Sequence, residues 1–286
     1  MSEVVSAWDP APIVLGGAGL TLFLFAQGSR RLRRRERTDR ADWTRALLFL
    51  VAVAISALAL VSPLDEVGDS YLLSGHMLQH VLIGDAAPAL ALIALRGPLI
   101  FFFLPCSVLR PLARSRRIRA GLGFLLRPAV SFAAWIVVIA GWHVPAVYDY
   151  ALRNQTVHDL EHVSFILVGL LVWMQIVDPA RRRRLHLSQR VAYMLALCVA
   201  GAVLAGVLVF SSTPLYPAYN GESPRLLGLS PHRDQQLAGI VMVAEQLLTL
   251  GLCTCLLLRS RVRAGRSGDH SVVLDRRMAP ANLAPQ

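Results

Sequence analysis

The chain has 286 residues, 55% hydrophobic and 16% charged, with a mean hydropathy of +0.52 and a formal net charge of +11. Soluble domains carry roughly a quarter charged residues, so a water-soluble globule is excluded. All 29 basic residues are arginine, which excludes a lysine Schiff base and with it a retinal protein.

In chain order, the N-terminus MSEVVSAWDP is acidic and lacks the basic n-region of a cleavable signal peptide. Seven apolar runs of bilayer-spanning length follow, at roughly 11–27, 44–61, 73–95, 128–147, 157–177, 190–211 and 236–258. The piece GPLIFFFLP at 97–105 is bounded by prolines and too short to cross, so it is expected to be interfacial or re-entrant. The pattern predicts an all-α polytopic membrane protein with seven transmembrane helices. Residues 1–260 form the membrane domain, and 261–286 are expected to be a disordered cytoplasmic tail.

The connections alternate in charge. The connections that contain RRLRRRERTDRADWTR, RPLARSRRIR and ARRRR, with the tail that begins RSRVRAGR, fall on one side, which holds 26 arginines, while the other side holds only Arg153, Arg225 and Arg233. By the positive-inside rule the N-terminus is outside and the C-terminus inside, as expected for a multi-pass protein of the cell inner (cytoplasmic) membrane. The clusters are topology determinants in contact with lipid, so no nucleic-acid partner is inferred from the charge. Cys106, Cys198, Cys253 and Cys255 have no disulfide or zinc-ribbon spacing and read as small apolar fillers.

The histidines gather at one depth. GHMLQH opens span 3, and four-residue spacing stacks His76 and His80 on one helix face. At 1.5 Å per residue they lie about 4 and 10 Å below the outer surface. Span 4 ends in GWHVP, which places His143 a turn from that surface, and span 5 re-enters through HDLEH with His158 and His162. Of the other three, His186 is in an inner loop, His270 in the tail and His232 on the outer loop. A lone interfacial histidine is ordinarily just hydrogen-bonded to a neighbour. Two His-x3-His pairs and a third source at matching depth point instead to a metal or haem site facing into the bundle.

Imidazole suits zinc, copper, iron and nickel, whereas thioether selects Cu(I). Met77 is rotated about 100° from His76 and does not share its face cleanly. Met242 in span 7 lies on a stripe with Glu245 and Gln246, about 9 Å below the outer surface. Histidines with a nearby thioether on an oxidising side favour copper, as Cu(I), over zinc. HDLEH also fits the inverted zinc-peptidase pattern H-x-x-E-H. No further carboxylate ligand is evident on that side, so Glu161 reads better as a carboxylate orienting a ligand histidine, and no enzyme is expected. Asp85 lies about 140° around the helix from the histidine face. With Glu245 it forms either a proton path or a polar contact between helices.

GHMLQH, APALALIALRGPL, GWHVPAVYDYAL, HDLEHVSFILVGLLVW and DQQLAGIVM, in this order and spacing over residues 40–260, resemble the polytopic CtaG family of cytochrome c oxidase assembly factors. The resemblance implies a seven-span, non-enzymatic protein needed to mature a copper-containing oxidase, by copper delivery or site assembly. It places the family's histidine motifs on His76, His80, His143, His158 and His162, and its DQ-containing element on Asp234, Gln235, Gly239 and Met242. Asp85 departs from the apolar residue seen in many relatives. Oxidase subunits, a periplasmic copper chaperone and the lipid membrane are the partners this implies. A b-type haem protein and a copper or proton transporter remain the alternatives. Against the transporter, the inner half of the bundle offers no histidines.

Overall fold

The computed structural model describes residues 8–35, 42–182, 185–221 and 226–259. It is all-helical among these residues, with no strand. The sequence-derived tail at 261–286, with His270, and Arg225 lie outside them.

Among the described residues six helices are long and apolar enough to cross a membrane, and the count is seven if a bent pair is one span. We label them α1 Pro12–Arg33, α2 Trp43–Val61, α3 Leu73–Ala94, α4 Pro128–Trp142, α5 Gln155–Val177, α6 Leu187–Phe210 and α7 Pro231–Arg259. Proline at the first helical position starts α1, α4 and α7, where its missing N–H costs nothing. Asn154 and Ser230 cap α5 and α7 by accepting from Val157 and Arg233 backbone N–H groups.

The expected fourth span, 128–147, is shorter in the structure. Pro145 disfavours a helical Val144, so α4 stops at Trp142 and a separate helix, Pro145–Arg153, begins. At 15 residues α4 reaches only about 22 Å. Arg116–Leu125 precedes it and meets α4 at a 72° bend. The segment 97–105 contains the short helix Leu99–Phe103, which packs on α1 beside Phe25, Leu32 and Phe49.

The spans are not uniformly α-helical. π turns occupy Val67–Tyr71 just before α3, Leu82–Ala86 within α3 and Leu247–Gly251 within α7. Such one-residue expansions shift every side chain that follows around the axis.

Half of the apolar window of α3 and 56% of that of α5 are buried, against 11% for α1, so α3 and α5 form the centre of the bundle. Their contact is close. A Cβ on Gly169 would lie 1.8 Å from the carbonyl oxygen of Gly84, a separation that only glycine permits. Outside, Ile13, Val137, Val203, Phe210 and Leu248 are 66–90% exposed, the apolar belt that a lipid-facing surface requires.

Candidate metal centre

The starts of α3, α5 and α7 and the end of α4 meet at one end of the bundle, opposite the arginine-rich connections. Four imidazoles converge there from α3 and α5. Ring centroids are 4.2 Å apart for His76–His80 and for His158–His162, the pairs on one helix face. Across the helices they are 5.3 Å for His80–His162 and His76–His158, and 6.1 Å for His76–His162. All four are at most 7% exposed. The Gly84–Gly169 approach draws the two faces together just inside the cluster.

These rings lack the partners that buried polar groups normally find. Among the described residues, both ring nitrogens of His76 and His80, and Nε2 of His158 and His162, are buried without a hydrogen bond. Leaving such a group unpaired costs about 1–3 kcal/mol. Ligand atoms of His76, His80 and His162 all lie within 4.8 Å of one another, as do those of Asp69, His76 and His158. Two sets of metal-ligating type therefore share His76. Convergent lone pairs with no protein partner fit a cation.

Glu161, 1% exposed and with neither oxygen hydrogen-bonded, brings Oε1 to 3.7 Å from Nε2 of His80. The carboxylate faces the ring at that separation without a hydrogen bond. His143 lies to one side. It forms the C-cap of α4, its Nδ1 is 2.8 Å from the carbonyl oxygen of Ile139, and its buried Nε2 has no partner.

A cavity with about 60 Å³ of room for water centres runs along α3, α5 and α7, touching His80, His143, Met77 and Met242. That is enough for about four waters. Asp85, Glu245 and Gln246 line it deeper in the helices. Asp85 accepts from Trp173 Nε1 on α5 and from Thr249 Oγ1 on α7, so it joins three helices through polar contacts. Neither Asp85 nor Glu245 is hydrogen-bonded to a histidine among the described residues. The π turn Leu82–Ala86 explains how Asp85 shares the cavity with His80, since regular helical phase would turn it away.

Tyrosines roof the cluster. Tyr148, from the helix that follows HVP, sets its ring at a tilt with its centroid 5.2 Å from that of His76, and its hydroxyl is 2.9 Å from that of Tyr219. Tyr219 donates to the carbonyl of Gly68, and Tyr216 to that of His143. Burial pushes the phenols of Tyr148 and Tyr219 well up, so both remain neutral donors. Beside the roof, Asp65 hydrogen-bonds Gln79, and burial, reinforced by the Asp69 carboxylate, raises its pKa to about 7.

The DQ element turns out to be scaffold. Asp234 accepts from the backbone N–H groups of Leu73 at 2.7 Å and Ser74 at 3.1 Å, and from the Ser74 hydroxyl, so the start of α7 caps the start of α3. Gln235 accepts from Leu215 N–H and donates to Leu208 O, fastening the end of α6. Gly239 lies against Ala205, where a Cβ would come within 2.8 Å of the carbonyl oxygen.

Asp69 is the feature that sequence reasoning missed. Its Oδ1 lies 3.3 Å from His76 Nδ1 and 3.4 Å from His158 Nε2. The only signal was the acidic stretch PLDEVGD directly ahead of GHMLQH.

Fold and cluster together define a polytopic membrane protein with a buried histidine centre at one end of its bundle. The family model for the cytochrome c oxidase caa3 assembly factor, Caa3_CtaG, matches residues 23–264, and the chain belongs to this family. An oxidase partner and a membrane setting follow from that membership. No curated protein and no solved structure matches the chain.

Proposed function

We propose that the protein binds a copper ion, as Cu(I), in the His76–His80–His162 pocket and delivers it to, or holds it for, the copper site of a cytochrome c oxidase under assembly. The 26-to-3 division of arginines orients the histidine end to the outside of the cytoplasmic membrane. A periplasmic copper chaperone would hand over its ion on that side. The role is non-catalytic.

The observation that carries this reading is the set of buried ring nitrogens aimed at one another without hydrogen bonds. Neutral imidazole is the commonest metal ligand, and bound metal supplies the partner that these atoms lack. Met77 and Met242 line the adjoining cavity, where a thioether favours Cu(I). His158 and His143 flank the trio, and Glu161 orients His80.

Protein purified from copper-supplemented membranes should carry about one copper per chain, and His80→Ala and His162→Ala should each lower this roughly tenfold or more. Elemental analysis reads the outcome. Copper content unchanged in both variants overturns the proposal. A Soret band in the same samples would assign the histidines to haem, and copper flux into proteoliposomes would assign them to transport.

A further inference from the structure

The two ligand sets differ in where they open. His76, His80 and His162 are buried, whereas the side chain of Asp69 is 29% exposed even though its Oδ1 is buried and unpartnered. Asp69 sits on the π turn Val67–Tyr71, which folds back onto the histidine helix. Gly68 makes this possible, since a Cβ there would come within 3.0 Å of His76 Cα. Tyr219 fastens the same turn by donating to Gly68 O at 2.6 Å.

The distances from Asp69 Oδ1 to its two nitrogens, 3.3 and 3.4 Å, have a specific meaning. Two donors each about 2.0–2.1 Å from one ion in tetrahedral geometry stand roughly 3.3 Å apart. They are not hydrogen-bonded as they stand, and a shared cation accounts for both separations at once.

His76 belongs to both sets, and that decides how they work together. A neutral imidazole has one acceptor nitrogen. Unless the ring loses its second proton, His76 serves one ion at a time, so the two sets are alternative positions for a single ion.

We propose that Asp69, His76 and His158 form an outward station for the ion, and that the ion passes between it and the His76–His80–His162 station by exchanging partners around His76. This rests on the copper reading above. The carboxylate takes a cation from water or from a donor protein, and the neutral inner trio retains it. Metal–ligand bonds exchange, and where the two stations use different ring nitrogens of His76 the ring proton moves to the nitrogen that the ion leaves; the oxidation state is conserved.

The test is Asp69→Asn in the full-length protein, loaded anaerobically with Cu(I) alone and challenged with the water-soluble chelator bicinchoninate. Copper per chain should match wild type, while loading and release should both slow about tenfold through loss of the intermediate position. His158→Ala should slow both in the same way, and the double variant should be no slower than either single one. Unchanged rates in Asp69→Asn overturn the inference. So does faster release, which would mean that Asp69 merely steadies His76. Wild-type protein that binds no Cu(I) sinks the copper reading itself, whereas wild-type binding with unaltered variant rates sinks only the outward station.

Discussion

Two buried acidic residues near opposite ends of α5 are treated in opposite ways. Asp178 follows the last turn, is 8% exposed, and accepts from Arg182 N–H at 2.9 Å and from the Arg190 guanidinium at 3.2 Å. Glu161, in the second turn, is 1% exposed, and neither oxygen has a hydrogen bond. The arginine end satisfies its buried acid with protein groups, as a structural polar contact must. The histidine end leaves Glu161 and imidazole nitrogens without hydrogen bonds among the described residues, so the two ends differ in whether the protein itself satisfies its buried polar groups.

Asp234 tests the scaffold side of that contrast most severely, because it lies at the histidine end yet is fully partnered. Asp234→Ala leaves the buried Leu73 and Ser74 N–H groups bare and should cost about 3 kcal/mol or more. The loss should appear in denaturant or thermal unfolding in detergent even without metal, and an unchanged midpoint would remove Asp234 from the scaffold. Arg190→Ala should cost about 2 kcal/mol, since the pair is largely buried and Asp178 would lose its charged partner. Copper retention should be untouched by this change, and a drop in retention would blur the division between the two ends. Glu161→Gln should change apo stability least, within about 1 kcal/mol, because no hydrogen bond is lost. Its copper affinity should still fall roughly 10–100-fold, measured by chelator competition. A large apo destabilisation would place Glu161 with Asp178 after all.

The spans and the meeting of histidines were legible because hydropathy and four-residue spacing are local signals. His76, His80, His158 and His162 needed only a regular helix and the alternation of crossings to be placed together. Where the helix is irregular, the reading broke down. The break before Pro145 shortened the fourth span, and the π turn at 82–86 brought Asp85 into the cavity, against its expected phase. Asp69 was hidden for a related reason. It lies outside any span, and only a π turn with a bare Gly68 folds it onto His76. Met242 does line the cavity, as its stripe with Glu245 and Gln246 suggested.

The contact between Gly84 and Gly169 sets the gauge of the whole centre. Main chain rests on main chain there, so the gap between the histidine-bearing faces is fixed by covalent dimensions and not by interlocking side chains. Substitutions in the surrounding apolar layers can alter how firmly the bundle holds together. The bite of the pocket stays constant as long as position 169 carries no side chain.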